Sequence, residues 1–158
     1  MRWNGSRAAL AALALAMAPA CGSPGTVSLS AKLSNPELRV EDLALGPRLQ
    51  GGFDLTLEVG PEATDASEVS IESFAVLREL TTVVAPLLAV PEVSFPLRVG
   101  KGERRIVHFT LDDSKFIETT ERDAVCAGGV RITGVIRDTL SGGNVTNLST
   151  AVFEPRCP

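Results

Sequence analysis

From residue 27 onward, apolar and polar side chains alternate in short runs, and few folds can use such a pattern. Phe53, Leu55, Leu57 and Val59 are separated by Asp54, Thr56 and Glu58, and Val107, Phe109 and Leu111 by His108 and Thr110. A period of two places one set of side chains on each face of a strand, so these runs read as half-buried strands. Turn signals recur about every ten residues, which predicts an all-β antiparallel sandwich of about seven strands over residues 27–158.

Taken in order, Val27, Leu29, Ala31 and Leu33 alternate with Ser28, Ser30 and Lys32, and Ser34-Asn35-Pro36 has the chemistry of a closing turn. Leu38 and Val40 follow. A phase slip at Glu41-Asp42 then reads as a bulge or bend. Gly46-Pro47 and Gly51-Gly52 mark a loop ahead of the Phe53–Val59 strand, and residues 61–67 a surface loop. Val69 and Ile71, then Phe74 and Val76, make the next strand, again with a slip of phase.

Residues 76–90 carry two patterns. Val76, Leu77, Leu80, Val83, Val84, Leu87 and Leu88 match helical spacing, but Pro86 would break such a helix and Thr81–Val84 is rich in β-branched residues. The expectation is a strand to about Leu80 and an irregular apolar connection to Pro91, with a short helix as the alternative. Val83, Val84, Leu87, Leu88 and Val90 are the candidate contacts for a partner or ligand; the competing role is core over one open end of the sandwich.

Val93, Phe95, Leu97 and Val99 resume the alternation, with Pro96 suited to an edge. Gly100-Lys101-Gly102-Glu103 reads as a hairpin tip leading back through Val107. Arg98, Lys101, Arg104 and Arg105 gather there as candidate contacts to phosphate or lipid headgroups. The Gly-Lys-Gly lacks the GxxxxGK[ST] spacing of a P-loop. Residues 112–124 are polar, with Phe116 and Ile117 the large apolar exceptions, and read as a loop with one helical turn crossing between sheets.

The last stretch is a hairpin with Leu140-Ser141-Gly142-Gly143-Asn144 as its turn. A turn centred between Ser141 and Gly142 sets Val135 opposite Leu148, Ile132 opposite Ala151 and Val130 opposite Phe153. The same register brings Cys126 opposite Cys157, within reach of a disulfide. Closing a loop of about thirty residues contributes roughly 3–4 kcal/mol in the chain-entropy picture. Residues 132–138, Ile-Thr-Gly-Val-Ile-Arg-Asp, with the Gly-rich turn, resemble the closing hairpin of bacterial immunoglobulin-like domains. The Trp that packs on the bridged pair of antibody domains is missing, which points to the broader sandwich class.

The first twenty residues differ in kind. Arg2 and Arg7 precede the apolar run Ala8–Ala18, which is followed by Pro19, Ala20 and Cys21. This is the layout of a cleaved secretory signal, and the run is too short to span a bilayer, which takes about 20 residues. Ala18-Pro19-Ala20-Cys21 also resembles the lipobox of bacterial lipoproteins, with Ala where Leu is usual and Pro where Ala or Ser is commoner. The resemblance implies cleavage before Cys21, a lipid on that sulfur and a tether over residues 21–26. With Cys126 and Cys157 paired, lipidation also gives the odd third cysteine a use. Gly22, where many inner-membrane lipoproteins carry Asp, implies the outer membrane rather than the inner. The alternative is a secreted or periplasmic soluble chain with a free N-terminal thiol.

Cleavage leaves 138 residues, one ordinary domain. Two of the 15 basic residues leave with the leader, so 13 face 19 acidic ones, a net charge of −6. That argues against nucleic-acid binding, which calls for a basic surface. His108 is the single histidine, and its place between Val107 and Phe109 puts it on an outer face. No GxSxG, HExxH, GxGxxG or CxxC motif occurs, and Asp112-Asp113 lacks the ligand ladder of a calcium loop. Asn144-Val145-Thr146 and Asn147-Leu148-Ser149 read as strand polars. No cofactor, metal or catalytic residue is expected. The sequence points to a lipid-anchored envelope module with a protein partner, the alternative being a small-ligand or lipid binder that uses residues 83–90.

Overall fold

A computed structural model of the chain describes residues 29–158. The leader over 1–20, Cys21 and the tether over 21–26 lie outside the described residues, as does Val27. Within them the alternation becomes two antiparallel sheets packed face to face, an all-β sandwich. One sheet has the order β1 (Leu29–Leu43), β2 (Gly46–Val59), β7 (Arg104–Leu111), β5 (Ala89–Pro91). The other runs β4 (Thr81–Val84), β3 (Ser67–Arg78), β8 (Arg131–Asp138), β9 (Val145–Ser149), with β6 (Leu97–Val99) also on β3. The described residues thus hold nine strands instead of about seven. The difference comes from short strands inside segments that had looked irregular.

The sheets meet on an aromatic cluster. Phe53 on β2 and Phe109 on β7 stack at 5.1 Å, and Phe74 on β3 sets its edge against both, at 4.8 and 5.1 Å. Edge-to-face and offset geometries are the favoured arrangements for aromatic rings. Gly134 on β8 makes room for Phe74: a Cβ there would stand 2.7 Å from the ring. Five of the six Phe pack in or against the core, and Phe116 is the exception.

The phase slips have physical causes. Ser34-Asn35-Pro36 does not end a strand; it is a bulge within β1, where the register to β2 shifts between Ser34 and Glu37. Asn35 takes φ +50. An extra residue reverses which parity faces inward, so Leu33 and then Leu38 and Val40 all reach the core. Gly51 sits across from the bulge at φ +127, where a Cβ would lie 2.1 Å from the Glu37 carbonyl oxygen. The expected slip at Glu41-Asp42 is absent, since pairing runs unbroken from Glu37 to Leu43. The loop expected over Gly46–Gly52 is the first half of β2, and the turn is Ala44-Leu45. In β3 the expected slip is real, between Ile71 and Ser73.

Four further expectations are corrected. Over residues 76–90 the expected strand ends at Arg78, close to Leu80, but the connection expected to be irregular holds two short strands, β4 and β5, on opposite sheets after a Glu79-Leu80 turn, and no helix forms. Val93–Val99 is a strand only over Leu97–Val99. The 100–103 turn is not a hairpin tip, because β6 and β7 belong to different sheets. The 112–130 crossover holds a two-turn helix, α1 (Thr119–Cys126), opened by reciprocal bonds between Glu118 and Glu121.

The closing hairpin is one residue out of the expected register. Gly134 pairs with Leu148 and Val135 with Asn147. Seven residues lie between the last pair, Arg137 and Val145, so the turn centres on Ser141. Asp138, buried, holds that turn by accepting from the Ser141 N–H at 2.9 Å and the Ser141 hydroxyl at 2.6 Å. Further along, Ile132 stands opposite Thr150 rather than Ala151, and the Thr150 hydroxyl accepts the Ile132 N–H at 3.0 Å. Because that hydroxyl takes the place of a backbone carbonyl, one extra residue enters the outer strand. Val130 then pairs with Phe153, as expected. Cys126 and Cys157 are bonded, with Cα atoms 5.9 Å apart.

Candidate functional site

Strand directions give the sandwich two distinct ends. Leu29 pairs with Val59, and the 60–66 loop, the 100–103 turn and the 139–144 turn lie at that same end. Residues 21–28 therefore join the domain there. The opposite end carries the Ala44-Leu45 and Glu79-Leu80 turns, the 85–88 connection, residues 112–118 and α1. Leu45 is 84% exposed and Leu80 95%, with Leu88 and Phe116 at 43% and 46%. Large apolar side chains thus gather at the end away from Leu29.

A cleft of about 220 Å³ opens at this far end between residues 84–88 and 111–121. Leu49, Leu87 and Leu111 form its floor, and Leu88, Phe116 and Ile117 its sides. Backbone bonds fix both walls: Leu87 N–H to the Phe74 carbonyl at 2.8 Å, Asp112 N–H to the Leu88 carbonyl at 2.9 Å, and Ile117 N–H to the Pro47 carbonyl at 2.9 Å. Asp112 accepts from the hydroxyl and the N–H of Ser114, at 2.6 and 3.0 Å, and these bonds hold its carboxyl below the ordinary range. Arg122 ties α1 to the end of β1 through Asp42 at 2.9 Å.

The five apolar candidates therefore divide. Val84 and Leu87 are core, Val83 packs against it, and Leu88 and Val90 are exposed. Leu88 lines the cleft, whereas Val90 sits on edge strand β5 and does not. Phe116 and Leu80 stand out in the sequence as apolar residues but are not among its candidate contacts, and Leu45 is not either. The available signal was a large apolar residue isolated within a polar run or placed on a two-residue turn.

The basic candidates lie at the Leu29 end, and the three arginines each stand beside a carboxylate. Arg98 pairs with Glu68 in register and stands 4.0 Å from Asp65. Arg104 faces Glu58 across the sheet, and Arg105 bonds Glu103. Glu103 also accepts the Gly100 N–H at 2.7 Å, the main reason its carboxyl titrates below the ordinary range. Lys101 occupies the turn between them. With Glu58, Asp65, Glu68 and Glu103 interleaved, the arrangement is a mixed-charge surface, unlike the single-sign patch that holds anionic headgroups.

His108 lies on an outer face, as its alternation implied, and is bonded to Asp54. Its ring Cε1 and Nε2 lie over Gly52, where an added Cβ would stand 3.3 Å from each. Among the described residues, no group of three or more His, Cys, Asp or Glu is placed to hold a metal, and no helix is long and apolar enough to cross a membrane. The C-terminal segment joins the two sheets: Phe153 exchanges two bonds with Val130, and Arg156 exchanges two with Leu38 and Val40 of β1, both at 2.8 Å. The disulfide fastens this segment to the end of α1.

The chain matches no family model, no curated protein and no solved structure.

Proposed function

We propose that the chain is a lipoprotein of the bacterial cell envelope, a non-catalytic interaction or structural module held to a membrane through Cys21. The observation that carries this reading is the pairing of Cys126 with Cys157, which leaves Cys21 as the one cysteine without a disulfide role. It stands behind a lipobox-like Ala18-Pro19-Ala20, with charged and apolar regions in the order of an export signal. An oxidising compartment agrees with the disulfide. The outer membrane is preferred for the Gly that follows Cys21.

The immunoglobulin-like reading has support in the strand order. β1-β2-β7-β5 against β4-β3-β8-β9 corresponds to the A-B-E-D and C′-C-F-G sheets of that class. The disulfide departs from the pattern, joining a crossover helix to the C-terminal segment instead of bridging the two sheets. The interaction role draws on the exposed apolar side chains at the end away from the tether. A small-ligand role is the weaker reading: two of its apolar residues are core, and about 220 Å³ is below the range of roughly 300–1,000 Å³ usual for such sites.

The test is intact mass of the mature chain together with membrane fractionation of a Cys21→Ser variant. Acyl mass on Cys21 and release of the variant into soluble fractions are the expected results. An unmodified N-terminal Cys21 in membrane-free fractions overturns the anchored reading.

A further inference from the structure

We infer that the far-end cleft docks a segment of another envelope protein, one that presents an apolar side chain flanked by Lys or Arg. The inference rests on the reading of the chain as an interaction module and adds the class of partner and the place of contact. The cleft has room for one or two apolar side chains, and Leu88 and Phe116 stand half-exposed on its walls. Its rim, residues 112–121, carries Asp112, Asp113, Glu118 and Glu121 against Lys115, and Arg48, which reaches the Asp113 carbonyl at 3.3 Å, is itself paired with Glu41 at 3.0 Å. An apolar slot under a negative rim is complementary to an apolar anchor between positive charges.

Other occupants fit less well. Leu49 on the cleft floor pairs with Val40, eleven residues along β1 from Leu29, or about 36 Å at strand spacing. The eight residues 21–28, fully extended, reach about 28 Å at most and hold no charged side chain. They join the domain at the other end, so they cannot fill the cleft. A second copy docked isologously would bring the same acidic rim against this one, and an anionic membrane surface would be repelled by it.

The experiment places a photo-crosslinking amino acid at Leu88 or Phe116 in the full-length, membrane-bound chain. Thr133 and Asn147, on the outer face of the second sheet, serve as comparison positions. The expected result is attachment from positions 88 and 116 to a segment whose apolar residue lies within about three residues of two or more Lys or Arg. Yield should fall at least fivefold between 0.1 and 1 M salt, as screening requires. Asp113→Lys should lower the yield and Lys115→Glu raise it; loss of folding cannot produce opposite signs. Attachment to a neutral or acidic segment, or insensitivity to salt and to both substitutions, overturns the inference. Attachment only from Thr133 or Asn147 overturns the cleft assignment and leaves the interaction module standing. No attachment from any of the four positions overturns both.

Discussion

Asp54 on β2 and His108 on β7 face each other across the sheet, with His108 Nδ1 2.8 Å from Asp54 Oδ1. The other oxygen of Asp54 accepts from Asn35 Nδ2 at 2.7 Å, so three strands converge on one carboxylate beside the β1 bulge. The Asn35 bond first, and the His108 bond after it, hold the Asp54 carboxyl below its ordinary 3.8.

A carboxyl that titrates lower when folded binds fewer protons than in the unfolded chain, so its contribution is complete above the unfolded value. It is lost as the pH falls below about 4 and through the folded value. Asp54→Asn should therefore flatten the acid limb of the stability–pH profile and leave the profile near neutrality displaced by under about 1 kcal/mol, since solvent screens the site. Denaturant unfolding of both proteins between pH 3 and 7 reads this out. A wild-type acid limb unchanged in Asp54→Asn contradicts it.

Removing the Cys126–Cys157 bond should cost about 3–4 kcal/mol, given a separation of 31 residues and the entropy of closing such a loop. Equilibrium unfolding of the Cys126→Ser/Cys157→Ser double variant measures it. Thiol labelling of the native protein, folded under oxidising conditions, should find neither of these two cysteines reactive.

Gly134→Ala should destabilise by about 1–3 kcal/mol, because the added methyl meets the Phe74 ring in a filled core. In a Phe74→Ala background the obstacle is gone, and most of that penalty should vanish. The pair should show a coupling above about 0.5 kcal/mol in a double-mutant cycle. Additive effects would place the cost of Gly134→Ala somewhere other than the ring.

Neutralising the 100–103 turn and its flank with Lys101→Gln and Arg104→Gln should leave binding of the domain over residues 29–158 to anionic vesicles unchanged within about twofold. Glu58 opposite Arg104, and Glu103 beside Arg105, already offset the positive charge. A large loss, reversed by restoring the charges and sensitive to salt, would reinstate a headgroup contact there.

The sandwich was legible from alternation because Phe53–Val59 and Val107–Leu111 each keep one parity inward without interruption. The Cys126–Cys157 bond was legible from the pairing of Val130 with Phe153, although the hairpin register between was misplaced by one residue. Two errors cancelled there. An odd-length turn centred on Ser141 moves the register one way, and the Thr150 hydroxyl, by replacing a backbone acceptor, moves it back. Strands β4 and β5 were hidden because three or four residues are too few to establish a period. Gly46 to Gly52 looked like a loop since Gly and Pro usually break strands; here Gly51 is required by the bulge it faces. The cleft was half legible, since Leu88 belongs to an evident apolar run. Phe116 takes its place only through the fold of residues 112–118 against Pro47.

The bonds that Arg156 makes to Leu38 and Val40 tie the outer edge of β1 to the far end of the chain. Synthesis runs from amino to carboxyl terminus, so that stretch of β1 is made more than a hundred residues before the Arg156 that covers it. A bare strand edge invites foreign strands. Until residue 156 has been made and seated, the Leu38–Val40 stretch of that edge is open to such pairing, and the seated segment closes it.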